Sequence, residues 1–299
     1  MPEPIAIRPF TWSDAPLLAG LRAGLAHGAG AGEAQVAHAR RWLRQPNLLP
    51  EREGFFALED GLPVGAGYLV VEQALGRGVL LLDVPQAHGE AEEALVVHAR
   101  TLARSLGLTA LQVDVAEGAT PRRTLLERQG FTHVRTHWHL RREGDAPAAV
   151  ELEPGQSVRL AGREDVPALT ALQNAAFTGS WGYAPNTQEE IAYRVFEAPD
   201  EAPDPVLLLE QDGQLLAYCW AHVEVAGGTG FVGMVGTVPN AQGQGLGRVV
   251  TAAAVDHLVG MGAVPVDITV DSENARAVRL YQRLGFLLAW RSLWYQRAP

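Results

Sequence analysis

Gln242-Gly-Gln-Gly-Leu-Gly247 stands directly after the apolar run 231–238 and opens an apolar helical stretch at 249–258. The order strand, glycine-rich turn, helix leaves several backbone N–H groups exposed at a helix N-terminus. Those donors and the positive end of the helix dipole can hold a pyrophosphate. Gly243, Gly245 and Gly247 carry no Cβ, so a ligand can approach the main chain closely. A dinucleotide fingerprint would instead need G-x-G-x-x-G at the start of a βαβ unit, with an acidic residue about 20 positions on. Here the spacing is G-x-G-x-G deep in the chain, and no N-terminal βαβ unit surrounds it.

A second segment, Asn274-Ala-Arg-Ala-Val-Arg-Leu-Tyr281-Gln-Arg-Leu-Gly285-Phe286, narrows the reading. Asp271-Ser-Glu-Asn274 follows the apolar strand 266–270 and offers good helix-capping residues. On the helix that follows, Ala277, Leu280 and Leu284 recur at inward-facing spacing, and Tyr281 neighbours Ala277 on that face. Gly285 suits a left-handed cap, and Phe286 begins the last strand. Spacing alone allows Tyr281 to be a core aromatic with a locally satisfied hydroxyl or a residue facing a cleft.

The chain repeats itself. Ile7-Arg8-Pro-Phe-Thr-Trp-Ser-Asp14-Ala-Pro16 returns as Val158-Arg159-Leu-Ala-Gly-Arg-Glu-Asp165-Val-Pro167. Asp60-Gly61 matches Asp212-Gly213, Val84-Pro85 matches Val238-Pro239, and Gly130-Phe131 matches Gly285-Phe286. The offset stays between 151 (Ile7 to Val158) and 155 (Phe131 to Phe286), which marks a duplicated domain rather than a solenoid. Turn-rich segments at 143–147 and 153–155 put the boundary near residue 150, giving domains 1–150 and 151–299. In the second copy, 206–210, 215–225, 230–238, 264–270 and 287–295 read as strands, and 168–177, 245–260 and 274–284 as helices. The expected fold class is α/β, each domain a mixed, mostly antiparallel sheet flanked by helices.

At 299 residues, 47% hydrophobic and 19% charged, the chain has the composition of a globular protein with room for two cores. Its formal charge of −10 argues against nucleic acid or an anionic membrane as the main partner. Cys219 is the single cysteine, so no intrachain disulfide can form and a reducing, cytoplasmic setting is expected. The N-terminus lacks a signal pattern, and no apolar run reaches about 18 residues.

Taken together, Val-Gly-Thr-Val-Pro239, the Q-x-x-G-x-G turn and N-x-x-A-x-x-L-Y-x-x-x-G-F resemble the acetyl-CoA-binding core of the GNAT acetyltransferase superfamily. The doubled layout resembles its tandem branch, typified by mycothiol synthase. The resemblance implies an N-acetyltransferase that uses acetyl-CoA as co-substrate and acts by direct attack of a small-molecule or peptide amine. It further implies that Val235, Gly236 and Thr237 bond the pantetheine arm. Gln242, Gly243, Gln244, Gly245, Leu246, Gly247 and Arg248 would wrap the pyrophosphate. Asn274 would meet the cofactor arm, and Tyr281 would protonate the leaving thiolate, as a neutral phenol can. A non-catalytic acyl-CoA-binding or sensing protein is the alternative.

The general base is less directly written. On strand 217–225, Trp220, His222 and Glu224 share one face, which makes His222 and Glu224 the candidates. Where some members of the family carry a glutamate on the cofactor strand, this chain has Phe231. The segment 174–186, with Phe177, Trp181 and Tyr183 among glycines, reads equally as a mobile lid and as an aromatic-anchored loop. In the first copy the glycine turn is replaced by His88-Gly-Glu-Ala-Glu-Glu93, Asn274 by Ala119 and Tyr281 by Leu126. Carboxylates there oppose phosphate, so this copy is expected to be non-catalytic. His133, His137 and His139 alternate with Arg135 along its last strand, and the interleaved arginine argues against a metal site.

Overall fold

The computed structural model of the chain describes residues 5–28, 30–85, 88–148, 151–197, 204–223 and 228–299. Contacts divide it into two compact units, Met1–Thr136 with Ser292–Pro299, and His137–Arg291.

In the first unit β1 (Ala6–Pro9), β2 (Gly54–Glu59), β3 (Leu62–Glu72) and β4 (Arg77–Asp83) pair antiparallel in that order, and β5 (Ala110–Ala116) runs parallel to β4. Helices α1 (Ala15–Arg22), α2 (Glu33–Leu43), α3 (Pro50–Glu53), α4 (Gly89–Ser105) and α5 (Thr120–Arg128) accompany the sheet, and β6 (Thr132–Arg142) follows. The second unit repeats the plan. β7 (Gln156–Leu160), β8 (Val206–Gln211), β9 (Gln214–Val223) and β10 (Gly230–Thr237) pair antiparallel, and β11 (Val266–Asp271) runs parallel to β10. Its helices are α6 (Val166–Phe177), α7 (Gln188–Ala192), α8 (Leu246–Gly260) and α9 (Ala275–Arg283), and β12 (Leu287–Arg297) closes the chain. This is the mixed, mostly antiparallel α/β architecture expected from the sequence.

The duplication is visible at atomic level. Arg8 donates to both carboxylate oxygens of Asp14 at 2.7 and 3.0 Å, and Thr11 N–H caps the same group at 2.8 Å. In the second unit Arg159 donates to Asp165 at 2.6 and 2.8 Å, and Gly162 N–H does so at 2.7 Å. Hydrogen bonding from Arg159 holds the Asp165 carboxyl below its ordinary range. For Asp14 burial works in the opposite direction, yet Arg8 and Thr11 prevail and its pKa is also lowered. Both Asp-Gly pairs lie at positive φ, 49° and 77° at Asp60-Gly61, 51° and 78° at Asp212-Gly213, as a primed hairpin turn requires.

Each sheet is completed by a strand from the far end of the other sequence copy. In the second unit, residues 137–142 of β6 pair antiparallel with β11, from Asp271↔His137 to Val266↔Arg142. In the first, residues 292–297 of β12 pair with β5, from Ser292↔Ala116 to Arg297↔Leu111. The repeat boundary near residue 150 lies between these strands in the chain, whereas the compact units divide inside β6 and inside β12. Burial explains the pairing: Leu140 enters the core of the second unit among Val266, Ile268 and Val270, and Leu293 and Tyr295 enter that of the first. Among the described residues, no helix is long and apolar enough to cross a membrane.

Candidate functional site

β10 and β11 begin side by side and then part. Their parallel register covers Gly230↔Val266 to Val232↔Ile268, while β10 continues to Thr237 with a bulge between Val232 and Met234. Among the described residues the parting leaves one edge of 235–237 without a strand partner, and Val235, Gly236 and Thr237 line the cleft that opens there. Its volume is about 470 Å³.

The far end of the cleft is the glycine turn. Gly245 is the N-cap of α8 at φ 88°, and Gly243 sits at φ 94°, conformations that L side chains rarely adopt. No side chain caps α8. By helix geometry the N–H groups of Leu246 and Gly247 have no carbonyl to bond within the helix. A Cβ on Gly245 would have no heavy atom within 4 Å, so this position opens onto free space beside those donors. A phosphate in that space would meet both the donors and the positive end of the α8 dipole.

Along the other wall runs α9. Asn274 caps it, its Oδ1 accepting from Ala277 N–H at 3.1 Å. Asn274, Arg276, Ala277, Arg279, Leu280, Tyr281 and Arg283 line the cleft, so three guanidinium groups at helical spacing belong to this wall, and Arg276 reaches Gln242 of the turn at 3.5 Å. The sequence assigns these arginines no role; their spacing behind the capping Asn274 is the signal that could have found them. Tyr281 is 7% exposed and its ring meets Phe286 edge-on at 6.2 Å. Burial first, and the neighbouring Cys219 second, push its phenol well above the ordinary value. Its hydroxyl therefore stays protonated near neutral pH. Cys219 is fully buried, and burial raises its thiol pKa, which disfavours the thiolate that a nucleophile needs.

Of the residues singled out in the sequence, Val235, Gly236, Thr237, Gln242, Gly243, Gly245, Leu246, Gly247, Arg248, Asn274 and Tyr281 converge on this cleft. Gln244 belongs to the turn but is exposed and does not line the cleft. His222 is half-buried on β9 with its ring 5.0 Å from Phe231, and it too lies outside the lining. Glu224 falls outside the described residues.

Another wall comes from the segment 174–186 singled out in the sequence, through Ala176 and Phe177 at the end of α6 and Ser180 just beyond it. The loop behind it is fastened. Asn174 Oδ1 accepts from the Tyr183 hydroxyl at 2.6 Å and from Asn186 N–H at 3.0 Å, while Asn174 Nδ2 donates to the Asn186 carbonyl at 2.9 Å. Phe177 and Tyr183 stack at 5.2 Å, and Trp181 meets His137 edge-on at 5.9 Å. These contacts match the anchored loop of the two arrangements that the sequence allowed.

Gly236 has a separate packing role. A Cβ there would come within 2.4 Å of Tyr218 Cε1 and 3.1 Å of Ala176 Cβ, so the Tyr218 ring occupies the space a side chain would need. Gly236→Val is expected to cost about 1–3 kcal/mol of stability, the usual range for overpacking a core. Urea unfolding measures this; an unchanged midpoint would mean that Tyr218 moves aside freely.

The first unit shows a different arrangement at the equivalent helices. Ala119 caps α5 with φ −80° and ψ 61°, nearly the −80° and 67° of Asn274, but brings no side-chain acceptor. Leu126 is fully buried in place of Tyr281. On the first turn of α4, Glu92 pairs with Arg122 of α5, and Glu93 accepts from Gln129 at 2.7 Å. His133 bonds to the Arg135 carbonyl and Thr136, and no cluster of three metal-binding side chains occurs among the described residues.

Residues 166–286 match the acetyltransferase (GNAT) family. A mycothiol acetyltransferase from Tsukamurella paurometabola is 35% identical over 248 residues, covering 74% of this chain and 82% of the relative. One from Thermomonospora curvata is 32% identical over 280 residues, covering 86% and 88%. In fold, the chain is similar to a GCN5-related N-acetyltransferase from Sphaerobacter thermophilus, with TM-score 0.74 and 20% identity over 100% of this chain and 96% of that one. It is also similar to a tandem GNAT protein from the clavulanic acid biosynthesis pathway, with TM-score 0.71 and 19% identity over 98% of both chains.

Proposed function

The chain belongs to the GNAT acetyltransferase family, an acetyl-CoA-dependent acyltransferase of amines, and on that footing we propose that its second unit is the catalytic one. The observation that carries this is the shared cleft. The uncapped N-terminus of α8, opened by Gly245, and the buried, protonated Tyr281 face the same space. Acetyl-CoA supplies an acetyl group activated as a thioester. In the proposed arrangement Gly243, Gly245, Leu246, Gly247 and Arg248 hold its pyrophosphate, with Gln242 and Gln244 in the same turn. Val235, Gly236 and Thr237 present the free strand edge to the pantetheine amides, and Asn274 meets that arm from the start of α9.

Tyr281 holds its proton at Oη and hands it to the departing sulfur, where negative charge develops. An amine must lose a proton to complete the transfer. His222, beside Phe231, is the proposed acceptor of that proton, with Glu224 further along the same segment as the other candidate. The buried, protonated Cys219 supports direct transfer over an acyl-cysteine route.

The first copy is proposed to be silent, since Leu126, Ala119 and the Glu92–Arg122 pair replace what the second copy uses. A cytoplasmic setting completes the proposal, in keeping with the single buried cysteine. Two similar proteins are named mycothiol acetyltransferases, which makes the mycothiol acetyltransferase reaction the first acceptor chemistry to assay.

Calorimetric titration with acetyl-CoA tests the assignment. One site per chain is expected. Two sites would overturn the silence of the first copy, and no binding would overturn the cofactor assignment.

A further inference from the structure

The rim of the cleft carries more positive charge than its glycine turn accounts for. Arg248 lies on the first turn of α8, and Arg276, Arg279 and Arg283 lie on α9; all are exposed and all border the cleft. Among the described residues none of them forms an ion pair, whereas Arg8, Arg22, Arg77, Arg122, Arg141 and Arg159 each do. Arg276 has a long contact with a neutral group, its Nη1 3.5 Å from Gln242 Oε1. The chain as a whole has a formal charge of −10, so arginines left without carboxylates around one cleft mark a place for an anion.

Helix geometry separates these arginines from the reacting end of the cleft. At about 100° per residue, Arg276, Arg279 and Arg283 fall within a stripe about 60° wide, and Tyr281 lies about 170° from its centre. Burial agrees: Tyr281 and Val278 turn inward on α9, while the three arginines stay in solvent. Long side chains can nevertheless bend over a rim and bring their guanidinium groups to bear on a ligand. The face of α9 that carries Tyr281 therefore serves the thioester end, and the arginine stripe serves the opposite, nucleotide end.

The charges can be matched along the stripe. A pyrophosphate diester carries two negative charges, which the α8 N-terminus and Arg248 meet at the turn. Arg276 belongs to the same place, since a Cβ on Gly243 would lie 3.7 Å from its Nη2. Arg279 and Arg283 stand about 4.5 and 10.5 Å further along the axis of α9, beyond the turn. They are surplus to a pyrophosphate and suit a further dianion, which planar guanidinium groups bind through paired N–H donors.

We propose that Arg279 and Arg283 bind the 3′-phosphate of coenzyme A, with Arg276 bridging from the pyrophosphate turn. The stripe thereby selects the complete coenzyme over a thioester carrier that lacks this phosphate monoester. The proposal rests on the cofactor reading of the second unit and assigns the part of that ligand which the glycine turn leaves unheld.

Calorimetry with coenzyme A and with 3′-dephospho-coenzyme A isolates the phosphate monoester. The unaltered protein is expected to bind coenzyme A about 25-fold more tightly than the dephospho form. Arg279→Gln and Arg283→Gln should each weaken coenzyme A by about fivefold, the upper scale of an exposed ion pair, and leave the dephospho affinity unchanged. The double variant should then bind the two ligands almost equally. Arg279→Lys, which keeps the charge but loses the forked donor, should recover part of the preference. Equal affinity of the unaltered protein for both ligands would overturn the proposal and leave the cofactor reading standing. So would a double variant that keeps the full preference, or one that weakens both ligands alike. Failure of the unaltered protein to bind either ligand would overturn the cofactor reading and the proposal with it.

Discussion

Gly245→Glu is expected to abolish acetyl-CoA binding. Gly245 caps α8 at φ 88°, and its missing side chain leaves open the space beside the N–H groups of Leu246 and Gly247. A glutamate there would meet a backbone conformation that disfavours L side chains, by roughly 1–2 kcal/mol. It would also put a carboxylate where the pyrophosphate is proposed to lie, so that charge repulsion adds to the steric block. We expect affinity to fall by at least about 100-fold, equivalent to about 2.7 kcal/mol. Gly245→Ala carries the conformational cost without the charge and should lose far less. Calorimetry on both variants, with their thermal unfolding in the absence of ligand as a folding control, separates these contributions. Retained affinity in a folded Gly245→Glu protein would remove the turn from the cofactor site.

Tyr281→Phe should leave acetyl-CoA bound and slow its use. The ring packs edge-on against Phe286 and is almost wholly buried, and phenylalanine keeps that packing while deleting only the hydroxyl. Because burial holds the phenol protonated, the hydroxyl is a donor throughout the neutral range. A general acid contributes typically about 10²–10⁴-fold, so kcat should drop by about 100-fold or more. Single-turnover measurements would establish that chemistry limits the rate. If it does and kcat is unchanged, Tyr281 is a packing residue and another group protonates the thiolate.

The proposed cofactor site was legible in the sequence because its parts are local. The turn 242–247 owes its proposed phosphate binding to backbone conformation and helix polarity, which the glycines and the following apolar stretch announce by themselves. Asn274 was legible as a helix cap, whereas spacing left Tyr281 between core and cleft until the structure put both on one wall. The duplication was equally plain, and Arg8–Asp14 and Arg159–Asp165 reproduce it bond for bond. His222 was harder to place. Alternation put it on a strand face correctly, but which cleft that face borders depends on where β10 and β11 separate.

Local features were therefore legible in the sequence alone: the family, the α/β class, the glycine turn proposed to hold the pyrophosphate and the capped helix. Only the tertiary structure decided which strand closes each sheet. Residues 137–142 read as the end of the first copy, and nothing in their alternation reveals that Leu140 is buried beside β11. An edge strand satisfies its hydrogen bonds on any compatible neighbour, so its partner is chosen by tertiary packing and not by its own residues. His139 is thereby placed beside Thr269 and Trp290, groups more than a hundred positions away in the chain.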